Sequence, residues 1–172
     1  MPPTTAPSND IEKKARRVLQ QSGVKEVPVD LERVLAHLRL HHERPWHLST
    51  DVWDALVRKD RGRTRFKGQA MRATSRERWR LAHEIGHHVL HGAEPIRAHG
   101  QWEKNELEHE ADLFAAELLM PPPLISKAVK QAERAHQFDI EEMAHEFKVG
   151  RHEMEKRLRQ LGLLTKEVLG RM

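Results

Sequence analysis

The chain has 172 residues and a mass of 20.1 kDa, the size of one compact domain, with 38% hydrophobic residues, 33% charged residues and a mean hydropathy of −0.76. No uncharged apolar run approaches the roughly 18 residues that a membrane-spanning helix needs. The absence of cysteine excludes a disulfide scaffold, a cysteine-ligated zinc finger, an iron–sulfur protein and a thiol nucleophile. Net charge is +4, but Arg58–Arg80 carries ten Lys or Arg against Asp60 and Glu77, whereas Glu103–Glu117 carries six acids and one Lys. A basic segment beside an acidic one argues against inferring a generic nucleic-acid binder from the overall charge. The N-terminal stretch lacks the charged and apolar regions of a secretory signal, so a cytoplasmic protein is expected.

In chain order, residues 1–8 read as a disordered leader. Asn9 with Glu12 resembles a capping box opening a helix from Asp10 to Gln21, stopped by Gly23. Asp30 caps a second helix through Leu38. Short strands are expected near Arg39–Glu43, then at Val52–Arg58 and Thr64–Met71 as a hairpin turning at Arg61-Gly62. Ser75 is the expected cap of a helix ending at Gly92. A helix over Glu103–Met120 follows, stopped by Pro121-Pro122-Pro123, and helices Leu124–Ala135, Asp139–Phe147 and Arg151–Gln160 complete the chain.

The informative segment is Arg80-Leu81-Ala82-His83-Glu84-Ile85-Gly86-His87-His88-Val89-Leu90-His91, which contains H-E-x-x-H. Two His four apart share one helical face about 6 Å apart along the axis, so their rings can converge on one zinc ion. Glu84, one residue on, stands beside the metal rather than on it. In a chain this rich in His and Glu, shuffling alone yields the motif roughly one time in ten, so position must decide. At 100° per residue, Trp79, Leu81, Ala82, Ile85, Gly86 and Val89 form one apolar arc. His83, Glu84 and His87 point the other way, towards a cleft.

A third protein ligand is needed, and the Glu103–Met120 helix offers six acids. On its wheel Glu108 and Asp112 lie inside or at the edge of the apolar arc of Leu107, Ala111, Phe114, Ala115, Leu118 and Leu119. Glu106, Glu110 and Glu117 fall on the opposite, solvent side. A carboxylate on a buried stripe is costly unless paired or metal-bound, which selects Glu108 as the ligand. Asp112, one turn on, can accept a hydrogen bond from a ligand imidazole and fix its tautomer. His91, two turns from His83 and about 12 Å along the axis, lies too far to share the ion and is expected instead behind a ligand or at the entrance to the site.

These residues resemble the ImmA/IrrE family of gluzincin-like metallo-endopeptidases. The resemblance is carried by Pro28-Val29-Asp30-Leu31-Glu32, by Arg78-Trp79-Arg80-Leu81-Ala82-His83-Glu84-Ile85-Gly86-His87, and by Glu108-His109-Glu110-Ala111-Asp112 running to Leu118-Leu119-Met120-Pro121. Met143–Val149 and Arg157–Gly162 look like the family's C-terminal helices. Gly150 departs from the family pattern, standing where a capping Ser is usual. The resemblance implies an α+β, mainly helical, zincin-like fold, with a small antiparallel sheet packed on the H-E-x-x-H helix and helices at the C-terminus. The expected organisation is a leader at 1–8, a metallopeptidase domain at 9–136, a helix–turn–helix-like extension at 137–164 packed on the same domain, and a tail at 165–172.

The resemblance also implies peptide-bond hydrolysis with His83, His87 and Glu108 holding Zn²⁺, Glu84 as general base, and a helix–turn–helix transcriptional repressor as substrate, cut to release stress-response or mobile-element genes. Ligand type alone leaves Mn²⁺ or Fe²⁺ open. The chain has no Tyr to stabilise an oxyanion, so His88, His91, His99 or an Arg of the basic segment would have to serve. The basic hairpin Arg61–Lys67 reads either as a charge-protected edge or as a strand on which an acidic-flanked substrate adds. The competing reading of the whole chain is a regulator that binds DNA or a repressor, with Arg151, Lys156, Arg157 and Arg159 on the contacting helix and a structural or vestigial metal site.

Overall fold

The computed structural model describes residues 8–40, 59–60, 63–64, 74–92 and 101–164. Its elements run α1 (Ser8–Gln21), α2 (Leu31–His37), β1 (Lys59–Asp60), β2 (Arg63–Thr64), α3 (Ser75–His91), α4 (Gln101–Leu119), α5 (Pro122–Ala135), α6 (Ile140–Phe147) and α7 (Arg151–Gln160). Local chemistry sets several of these ends. Asp30 accepts from the backbone N–H groups of Glu32 and Arg33 at 3.0 and 3.2 Å, and so starts α2.

Thr74, one residue ahead of the expected Ser75, caps α3. Glu77 stands three residues beyond Thr74, so the two close a reciprocal box: the Glu77 N–H donates to Thr74 Oγ1, and the Thr74 N–H donates to the Glu77 carboxylate at 2.7 Å. The helix ends at Gly92, whose φ of 71° suits glycine. Pro122 opens α5 rather than delaying it to Leu124, because the first helical turn needs no N–H from proline.

Helix α4 forms the centre of the fold. Ala111, Phe114, Ala115, Leu118, Leu119 and Met120 are fully buried, and α4 packs on α3 along one side and on α1 along another. Gly86 of α3 sits against Ala111, where an added Cβ would lie 3.1 Å from the Ala111 carbonyl oxygen. One apolar cluster draws on every helix from α1 to α7. Each large side chain in it contributes about 1.5–3 kcal/mol of burial.

Two buried arginines fasten the periphery. Arg78 of α3 donates to the Val29 carbonyl at 2.7 Å, tying the Pro28-Val29-Asp30 segment to α3. Arg157 of α7 pairs with Glu117 at 2.6 Å and donates through Nε to the Met120 carbonyl at 3.1 Å.

The expected small antiparallel sheet packed on α3 is not seen. The described residues are mainly helical, and the extended pairing among them is a two-residue ladder, Lys59 opposite Thr64 and Asp60 opposite Arg63. Two residues per strand present too little surface to cover a helix. Instead, α4, α1 and α2 pack against α3. The expected strands at Val52–Arg58 and most of Arg39–Glu43 and Thr64–Met71 lie outside the described residues, as do the leader through residue 7, the tail from residue 165 and His99.

Candidate active site

Helix α3 carries His83, Glu84 and His87; α4 carries Glu108 and Asp112. The close contact at Gly86 and Ala111 brings the two helices together at this level, since Ala111 sits just before Asp112 and one turn after Glu108. Nε2 of His83 and Nε2 of His87 lie 3.0 Å apart. Glu108 reaches both, with Oε2 3.1 Å from His83 Nε2 and Oε1 3.4 Å from His87 Nε2. His83, His87 and Glu108 are the one group among the described residues whose donor atoms could jointly hold a metal ion.

These spacings fit a metal. A tetrahedral site with bonds near 2.1 Å has donor–donor edges of roughly 3.4 Å. Three atoms that carry lone pairs otherwise repel at such distances unless a cation or proton lies between them. His87 is almost wholly buried, His83 partly so, and Glu108 is about half exposed, so the group opens to solvent on the Glu108 side.

Asp112 holds His83 from behind. Nδ1 of His83 donates to Asp112 Oδ1 at 2.9 Å, which directs the Nε2 lone pair towards Glu108 and His87. That hydrogen bond is the main reason the Asp112 carboxyl lies below its ordinary pKa; burial opposes it, and the His83 charge, a hydrogen bond from Trp79 and the charge of Lys156 add to it. Burial works against the charged His83 ring, but the Asp112 hydrogen bond and the charges of Asp112, Glu108 and Glu84 outweigh it and raise the His83 pKa.

Glu84 has one buried oxygen, Oε2, with no hydrogen-bond partner among the described residues. Burial pushes its pKa up to about 7; Glu108 adds to this, while His83 and Arg80 oppose it. This carboxyl, next in sequence to His83 and electrostatically coupled to His83 and Glu108, is poised to exchange a proton near neutral pH.

Two acids placed on the solvent side by the wheel are in fact buried. Glu110 is engaged with His91 at 2.9 Å, and Glu117 with Arg157. The wheel counted apolar residues on α4 alone, whereas α4 is packed on more than one side. His91 itself lies on the far ring nitrogen of His87, Nδ1 to Nδ1 at 3.0 Å, away from the converging atoms. A signal was present in the sequence: His91 repeats the four-residue step from His87 on one helical face.

Comparison with curated proteins and with solved structures finds no match. The model of a peptidase family, described as the IrrE N-terminal-like domain, matches residues 69–159. That range is just over half of the 172 residues and contains both helices that carry the site. With the motif-bearing helices inside the match, the chain belongs to the ImmA/IrrE peptidase family.

Proposed function

We propose that the protein is a zinc-dependent endopeptidase in which His83, His87 and Glu108 hold the ion, Glu84 is the general base and Asp112 orients His83. The supporting observation is the convergence of three donor atoms at 3.0, 3.1 and 3.4 Å, together with the buried oxygen of the adjacent Glu84, which has no hydrogen-bond partner among the described residues. A purely structural metal site has no use for that fourth residue. Zinc, when bound, would polarise the scissile carbonyl and lower the pKa of an attacking water. Glu84 takes the proton of that water at its carboxylate and returns it to the leaving amine. Asp112 keeps the His83 proton on Nδ1 throughout, and Glu108, on the exposed side, leaves the approach open to a peptide.

By family resemblance the substrate is a helix–turn–helix transcriptional repressor, whose cleavage releases stress-response or mobile-element genes. The DNA-binding reading of α6 and α7 has less support. Arg157 is buried against Glu117, Arg159 pairs with Glu155 at 2.7 Å and Arg151 with Glu141 at 3.4 Å, so the expected contacting helix has most of its cations engaged. The test is metal analysis of the purified chain, followed by incubation with the repressor encoded beside it. Glu84→Gln should retain zinc and lose cleavage. Undiminished turnover in that variant would end the proposal.

A further inference from the structure

Behind His87 stands an arrangement that the proposed reaction does not itself use. His91 and Glu110 are each about one-tenth exposed, on α3 and α4 respectively. Nε2 of His91 lies 2.9 Å from Glu110 Oε2, Nδ1 of His91 lies 3.0 Å from Nδ1 of His87, and Nε2 of His87 faces His83 and Glu108. Glu110, His91 and His87 thus form a chain of contacts ending at a candidate ligand atom.

With His91 neutral, the donors and acceptors in that chain have one consistent order. A carboxylate only accepts, so His91 donates to Glu110 through Nε2–H. A neutral imidazole then carries its lone pair on Nδ1. Two ring nitrogens 3.0 Å apart share a hydrogen bond only when one of them donates, so His87 donates through its Nδ1–H. Its Nε2 is left bare, facing the Glu108 carboxylate and the His83 ring. The reversed order would press a His91 lone pair against Glu110 and place the His87 proton on Nε2, where no metal could be held.

We infer that His91 and Glu110 are positioning residues: Glu110, acting through His91, holds His87 in its Nδ1–H tautomer and so presents the Nε2 lone pair to the ion. This inference rests on the proposed metal site. It gives three of the six acids of α4 separate tasks: Glu108 meets the metal, Asp112 sets the His83 tautomer directly, and Glu110 sets that of His87 at one remove. Ligand imidazoles whose far nitrogen is held in this way commonly lose 10–100-fold in metal affinity when the partner is removed.

The test uses the full chain, metal-free and labelled with ¹⁵N at histidine, at mildly alkaline pH above the ordinary imidazole pKa. Two-bond ¹H–¹⁵N correlation should show the His87 proton on Nδ1, and Glu110→Gln or His91→Leu should move it towards Nε2. In parallel, competition against a chromophoric chelator should show zinc binding weakened about 10–100-fold in both variants. His91→Asn, whose amide oxygen can accept where Nδ1 did, should recover most of that affinity. A wild-type His87 protonated on Nε2 would overturn the inference without any variant being needed. Unchanged His87 tautomer and zinc affinity in both variants would also overturn it. A wild-type chain with the Nδ1 proton in place but no affinity for zinc would support the relay and sink the metal assignment instead.

Discussion

Replacing Gly86 with Ala isolates the contact that brings the two halves of the site together. A Cβ built on Gly86 would lie 3.1 Å from the Ala111 carbonyl oxygen, 3.2 Å from Ala111 Cα and 3.2 Å from Phe114 Cβ. Comfortable carbon contacts are about 3.5–4.0 Å, so α4 must retreat by a few tenths of an ångström. Two of the three neighbours are backbone atoms, which cannot turn aside as a flexible side chain would.

Two effects oppose each other. Alanine in a helix interior gains about 1 kcal/mol over glycine. Overpacking of a filled contact costs about 1–3 kcal/mol. The expected net loss is about 1 kcal/mol, measured by urea unfolding of the metal-free chain. The consequence for the site is sharper. Metal–ligand distances tolerate only about 0.2 Å, and Ala111 moves together with Glu108 and Asp112 on the same helix. Zinc affinity, measured by chelator competition, should fall roughly tenfold or more, as the loss expected for a disturbed ligand shell. A variant that gains the full helical increment and binds zinc as tightly as the parent would refute the close-approach argument.

Three further outcomes follow from the same structure. Because the folded-state pKa of Glu84 is raised to about 7 from 4.5, the native metal-free chain binds more protons than the unfolded one between those values; its stability should therefore fall as pH rises through that window, and Glu84→Gln should flatten the dependence and be the more stable form at and above neutral pH. Thermal melts across pH that show no such difference would contradict the burial argument. Arg157→Leu should destabilise the fold by about 3–5 kcal/mol by stranding Glu117, while the double replacement with Glu117→Leu should recover most of the loss in a denaturation cycle. Gly150→Ser should stabilise α7 by a few tenths of a kcal/mol, since φ −71° and ψ 151° suit a capping serine. The side chain in its way is the flexible end of Glu153, which can swing aside; a melting temperature lowered by this substitution would show that Glu153 is held in place.

What could be read from the residues alone was whatever is encoded within a turn or two of chain. The Asp30 cap, the glycine ends, the amphipathic α3 and the one-sided set of His83, Glu84 and His87 all follow from spacing of three or four residues. Even there the scale is fine: Thr74 rather than Ser75 caps α3 because Glu77 completes a box with one and not the other. The wheel singles out Glu108 and Asp112 as carboxylates on a buried stripe, yet both side chains are about half exposed, so it points to them without the burial it assumes.

The fates of Glu110 and Glu117 were beyond that reach. A helical wheel describes one helix against an assumed single core, and α4 has neighbours on more than one side. Whether a carboxylate faces water, a largely covered His91 or a buried Arg157 is set by which helices pack beside it, tens of residues away in the chain. The expected sheet failed for a related reason: short alternating segments predict strands, but α3 is packed against by other helices. Composition and periodicity pointed to the helices and to His83, Glu84 and His87 of the candidate site. Only tertiary packing decided the distances between α3 and α4, the burial of the acids behind them and hence the order of protons around His87, because those depend on contacts between surfaces that no local pattern contains.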